Sequence, residues 1–174
     1  MSTYRTVFIG LGTNLGERAR HLQTALQAMA TTPGIWLCGQ SALYETPPWG
    51  IADQPAFLNM VAKVHTTYAP QALLEVLLTI EREMGRERRV KWGPRLIDLD
   101  ILAVDHLLLD THPLKVPHPH IPQRAFVLVP WHELAPEWWL PRFRQTVAEL
   151  TAQLPARERA GCKPVGKAVL HGLR

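Results

Sequence analysis

Apolar residues recur along this chain at two spacings, every second position or every third to fourth, and their alternation predicts the order of elements. "RTVFIGLG" reads as a first strand. Leu15, Ala19, Leu22, Ala25, Leu26 and Met29 then repeat at helical spacing and predict a helix over 13–29, stopped by Pro33-Gly34. "IWLCGQSALYET" is extended and runs into a loop rich in proline and glycine. "FLNMVAKVHTT" alternates, with Leu58, Met60, Ala62 and Val64 on one face. An amphipathic helix over 69–85 closes at Gly85, a strand follows near 96–102, and residues 104–114 read as a turn and hairpin arm. Further helices are expected over 123–134 and 144–154, and the tail from about 157 reads as loosely held. This order predicts an α+β fold: a ferredoxin-like antiparallel sheet with helices packed on one face, in a single domain spanning 1–174.

One strand breaks the apolar pattern. In "KWGPRLIDLDIL", Asp98 and Asp100 share a strand face while Ile97, Leu99 and Ile101 share the other. Same-face neighbours lie roughly 6.5–7 Å apart, so two like charges there need water or a cation. The pair is either solvated or a metal site, and magnesium suits it, since that ion takes one or two carboxylates plus waters and phosphate oxygens. Upstream lie Arg82, Arg86, Arg88, Arg89, Lys91 and Arg95, more cations than salt bridges to the two aspartates require. A polyphosphate held between metal and arginines uses both sets of charge. His118 and Arg124 could add phosphate donors.

The loop "YETPPWGIADQPAFLN" carries Trp49 and Phe57, suited to stacking a flat ring, and Asn59, whose amide can read a ring edge; its alternative is a rigid surface loop with both rings in the core. "GLGTNLG" has GxGxxxG spacing and no phosphate loop follows, so its glycines are read as a tight turn between strand and helix, with Thr13 or Asn14 as N-cap.

Composition adds little. The 174 residues and 20% charged content are those of a globular chain, and the net charge of +4 favours an anionic partner. Cys38 and Cys162 lack metal-ligand spacing, which points to a reducing compartment; no leader or membrane-length apolar run is present, so a cytoplasmic protein is expected, monomeric by default.

Taken in order, "GLGTNLG", "YETPPWG…DQPAFLN", "IEREMGR", "KWGPRLIDLDIL" and "VPHPHIPQRAFVLVP" resemble the 6-hydroxymethyl-7,8-dihydropterin pyrophosphokinases of folate biosynthesis, over most of the chain. The resemblance implies transfer of the β,γ-diphosphate of ATP to the pterin's hydroxymethyl oxygen, with release of AMP. It implies two Mg²⁺ ions on Asp98 and Asp100, and a pterin pocket of Thr46, Pro47, Trp49, Phe57, Asn59 and Phe126. It places ATP at Glu81, Arg86, Arg88, Trp92, Arg95, Ile101, His118 and Arg124, with Arg86 and Arg95 offsetting charge during transfer. The small-molecule substrates ATP and pterin are then the expected partners, with no nucleic acid and no membrane. Two other readings compete. A nucleotidyl or glycosyl transferase also uses DxD with metal, but does not account for the "TPPWG…FLN" loop. An RNA-binding sheet needs stacking aromatics that "FIGLG" and "FLNMVAKV" lack.

Overall fold

Two long strands, β1 (Arg5–Thr13) and β4 (Phe57–Thr66), lie antiparallel at the centre of the sheet, in register from Arg5↔Thr66 to Thr13↔Leu58. The computed structural model describes residues 3–48, 53–85 and 96–168. On the far side of β1 lies β5 (Asp98–Val104). The other edge of β4 is shared by β2 (Ile35–Gln40) and β3 (Leu43–Thr46). Ser41 bridges the break between them: its N–H donates to the Val61 carbonyl at 2.9 Å and its hydroxyl accepts from the Val61 N–H at 3.0 Å. The interrupted edge therefore leaves no gap in the ladder at this point.

Alternation along the strands builds two cores. Val7, Ile9, Leu11, Leu58, Met60, Ala62, Val64, Leu99 and Ile101 pack with α1 (Arg18–Ala30) and α2 (Pro70–Glu83). Leu22, Ala25, Leu26 and Met29 supply the buried stripe of α1, whereas Leu15 and Ala19 stay exposed. The opposite face, with Phe8, Val61 and Leu102, is covered by α3 (Ala125–Leu134) and α4 (Val147–Ala152). The expectation of helices on one face is thus corrected: the sheet is antiparallel and α+β, as expected, but sandwiched between two helical layers. Phe8 is the reason. It points away from α1 and needs cover, which Trp131 (ring centroids 5.2 Å apart) and Trp138 (4.9 Å) provide. Burying a ring of that size stabilises by about 1.5–3 kcal/mol, enough to draw the apolar 125–134 segment onto this face.

Small elements tie the periphery. β6 (Leu109–Asp110) pairs with β7 (Lys115–Val116), and β8 (Trp139–Leu140) with β9 (Gln145–Thr146). Thr146 and Glu149 form a reciprocal capping box that starts α4. The tail differs from expectation. After α5 (Ala156–Ala160), β10 (Lys163–Gly166) pairs with β3 as a sixth strand, and Gln40 holds the Ala168 carbonyl at 2.9 Å. Edge pairing supplies backbone bonds without needing apolar side chains, so periodicity in the sequence does not announce it. Cys38 and Cys162 are both free thiols. No helix among the described residues is long and apolar enough to cross a membrane.

Candidate active site

Register places the two aspartates. Asp100 lies opposite Gly10 and Asp98 opposite Gly12, and Gly12 in turn lies opposite Asn59. Directly opposed residues of antiparallel strands point to the same face. Asp98 and Asp100 therefore share a face with Asn59, and with Phe57 and Thr46, which pair at the end of the β3–β4 ladder. With neighbouring strands about 4.8 Å apart, Asp98 and Asn59 are separated by roughly 10 Å of sheet. The strip between them is bare backbone, because β1 contributes only glycine there.

Gly12 has no room for anything larger. A Cβ would lie 2.4 Å from Asn59 Oδ1, whereas the nearest atoms to one at Gly10 belong to the Leu102 side chain, at 3.4 Å or more. Asn59 is buried, and its Nδ2 donates to Thr46 Oγ1 at 2.7 Å. Both glycines sit inside β1 and neither makes the turn expected of them. Gly16 turns the chain at φ 64°, and Glu17 occupies the N-cap without a side-chain bond. Thr13 ends the strand, and Asn14 donates to Gln54 Oε1 at 3.0 Å and the Pro55 carbonyl at 2.9 Å.

The start of α3 brings cationic and aromatic groups to the same end. Arg124 is 7% exposed, with its guanidinium carbon 5.6 Å from the centroid of the Phe126 ring. Burial pulls its pKa below the ordinary arginine value, and the charges of Asp100 and Asp98 oppose that shift. The guanidinium therefore lies within electrostatic reach of both carboxylates. His118 is fastened beside β5 by its N–H, which donates to the Leu102 carbonyl at 3.0 Å. Its Nδ1 accepts from the His120 N–H at 3.2 Å, so the neutral ring carries its proton on Nε2. Burial first, then Arg124, His120 and Arg142, push its pKa down to about 4. The ligand-free ring is neutral at pH 7.

Beneath the aspartates, Glu81 reaches up from α2. It is 5% exposed, and its Oε2 accepts from the Leu99 N–H, between the two aspartates, at 2.7 Å.

The chain matches the family described as 7,8-dihydro-6-hydroxymethylpterin-pyrophosphokinase (HPPK) over residues 8–136. It belongs to that family. It is 45% identical over 147 residues to a 2-amino-4-hydroxy-6-hydroxymethyldihydropteridine pyrophosphokinase of Methylorubrum extorquens, covering 84% of this chain and 92% of that protein. It is 48% identical over 149 residues to the protein of the same name from Pseudomonas aeruginosa, covering 86% of this chain and 91% of the relative. Among solved structures, wild-type Plasmodium falciparum HPPK-DHPS with pterin and p-hydroxybenzoate matches with a TM-score of 0.70 at 18% identity. That match covers 92% of this chain but 45% of the other, so the chain spans less than half of it and the likeness concerns the fold.

Against the HPPK resemblance, the structure gathers Asp98, Asp100, Thr46, Phe57 and Asn59 on one sheet face and brings Arg124 to them. Phe126, the second residue of α3, lies beside that guanidinium, and exposed Pro47 follows Thr46. Trp49, Arg86, Arg88, Trp92 and Arg95 lie outside the described residues. Ile101 differs from a side-chain ligand: it is 3% exposed in the core against α1 and α2, on the face away from the aspartates. It lies two residues beyond Leu99, whose N–H is turned to the free edge of β5, so Ile101 presents main chain to that edge. Sequence reasoning missed three contributors. The bare strip of Gly10 and Gly12 emerges only once β1 is in register with β5. Asn14 and Arg18 hold the far loop, across some forty positions of sequence.

Proposed function

We propose that this sheet end binds ATP and 6-hydroxymethyl-7,8-dihydropterin side by side, with Asp98 and Asp100 between them. The chain is a pyrophosphokinase, a diphosphotransferase acting on hydroxymethyldihydropterin in folate biosynthesis, and ATP is its co-substrate. One observation carries the placement: the aspartates share a face with Thr46, Phe57 and Asn59 across a strip of bare backbone, with the charge of Arg124 close to the carboxylates.

The pterin lies between Phe57 and Phe126, its edge read by the Asn59–Thr46 pair, with Pro47 and Trp49 completing the pocket. ATP extends from the free edge of β5 to the His118–Arg124 segment, with Glu81, Arg86, Arg88, Trp92, Arg95 and Ile101 completing its site. The parts of Trp49, Arg86, Arg88, Trp92 and Arg95 rest on the resemblance. Asp98 and Asp100 suit two magnesium ions, because adjacent carboxylates on an open face leave the remaining positions to phosphate oxygens and water. Magnesium there would neutralise polyphosphate charge and polarise the reacting oxygens.

The residues themselves chiefly hold and orient. The hydroxymethyl oxygen attacks the β-phosphorus in line, a new O–P bond forms, the bond from that phosphorus to the α–β bridging oxygen breaks, and AMP leaves with that oxygen. The hydroxyl proton is released to a carboxylate or water. Arg124, with Arg86 and Arg95, offsets charge on the transferred group. His118, neutral, donates from Nε2. The chain acts as one domain, a cytoplasmic monomer without nucleic-acid or membrane partners.

Phosphorus NMR with ATP, Mg²⁺ and the pterin tests this. Equal AMP and pterin diphosphate are expected, lost on chelation. Asp98→Asn and Asp100→Asn each lower turnover by about a thousandfold or more, with an unchanged circular dichroism spectrum. Near-normal turnover in either folded variant would overturn the assignment of the carboxylates.

A further inference from the structure

We propose that Arg18 is a positioning residue for the pterin end of the site, acting from the opposite side of the sheet; the inference rests on the pterin pocket assigned above. Thr46 and Phe57 form the last rung of the β3–β4 ladder. A terminal rung has paired neighbours on one side only and opens more readily than the rungs behind it. The rung also carries the Asn59–Thr46 bond, so its opening disperses three of the pocket's side chains together.

Arg18 spans this rung. Its Nη2 donates to Glu45 Oε2 at 2.9 Å, and its Nη1 to the Ala56 carbonyl at 3.0 Å. Glu45 immediately precedes Thr46 on one strand, and Ala56 immediately precedes Phe57 on the other. One planar guanidinium thus joins both strands at the ladder's end, with the fork geometry that makes arginine suited to two acceptors. Asn14 extends the hold to Gln54 and Pro55, so three consecutive residues entering β4 are tied to the β1–α1 connection and the first residue of α1. Glu45 points to the sheet face opposite Thr46, so Arg18 supports the pocket from behind.

Exposure separates the effect from global stability. The side chains of Arg18 and Glu45 are 30% and 46% exposed, and ion pairs of that kind contribute little to overall folding. Local closure of the rung is a smaller equilibrium, and the same bonds weigh heavily in it. Apparent pterin affinity scales with the fraction of molecules whose rung is closed.

The test uses Arg18→Met, Arg18→Lys and Glu45→Gln, with calorimetric titration of oxidised 6-hydroxymethylpterin and, separately, a non-hydrolysable ATP analogue. Arg18→Met is expected to weaken pterin binding and raise its KM by about five- to tenfold. ATP-analogue affinity and kcat at saturating pterin stay within about twofold, and Arg18→Lys recovers part of the loss. Glu45→Gln, which keeps the Ala56 bond, gives a smaller change of the same sign and serves if Arg18→Met does not fold. Unchanged pterin affinity in Arg18→Met, or equal loss for both ligands, overturns the proposal. Phe57→Ala and Asn59→Ala distinguish the two failures. If they too bind pterin normally, the pocket assignment falls and the clamp with it; if they lose binding while Arg18→Met does not, only the clamp falls.

Discussion

Replacing Gly12 by alanine adds one methyl group at the most crowded point of the site. The new Cβ would sit 2.4 Å from Asn59 Oδ1, where non-bonded contact requires well over 3 Å, so the Asn59 amide must move by about 1 Å. Its bond to Thr46 Oγ1, 2.7 Å long and buried, cannot survive such a movement intact. Losing that bond costs about 1 kcal/mol, and overpacking adds about 1–3 kcal/mol. Alanine returns about 0.4–1 kcal/mol by restricting the unfolded chain. A net destabilisation of roughly 1.5–3 kcal/mol follows. Gly10→Ala is the comparison, because the nearest neighbour of its Cβ would be a Leu102 methyl at 3.4 Å, an ordinary contact. It is expected to stay within about 0.5 kcal/mol of the parent or become more stable. Urea unfolding followed by circular dichroism measures both, and a double-mutant cycle of Gly12→Ala with Asn59→Ala isolates the contact. Once Asn59 is truncated, the alanine at 12 should add little further loss. If Gly12→Ala proves as stable as Gly10→Ala, or its cost persists unchanged without the Asn59 side chain, the steric reasoning is refuted.

Two further outcomes concern the end proposed to bind ATP. His118 has its pKa lowered from 6.5 to about 4, so below pH 6.5 the unfolded ligand-free chain binds a proton that the folded chain refuses, and stability falls as pH drops through that window. The loss reaches at most about 3 kcal/mol; pH-dependent denaturation of the parent and His118→Gln should show a shallower slope in the variant, and identical slopes would refute the assignment. Arg142 binds the Pro117 carbonyl at 2.7 Å and Asp110 at 2.6 Å, holding the β6–β7 hairpin and the segment that leads into His118. Arg142→Met is expected to weaken ATP-analogue binding about three- to tenfold while leaving pterin binding unchanged, as measured by calorimetry; an equal effect on both ligands would exclude this local role.

The elements themselves and the two opposed faces of the aspartate strand were legible in the chain. Period-two and period-3.6 repeats depend only on which residues follow one another, so β4, α1, α2 and the opposed faces of β5 could be read directly. Five short motifs in order pointed to the family for the same reason. What the chain alone did not determine were relations between segments distant in sequence. Helices on both faces followed from the burial demands of Phe8 and Trp131, which no local pattern expresses. The tail joined the sheet because β3 had an open edge, and backbone pairing leaves no mark on side-chain periodicity. Gly10 and Gly12 read as turn residues until the register of β1 with β4 and β5 placed them between Asn59 and the aspartates. Arg18 and Asn14 gained their parts only when α1 and the 54–56 segment met in space. Local sequence sets which elements form and which face each one buries; register and packing, which depend on contacts across the whole chain, decide which side chains share a site.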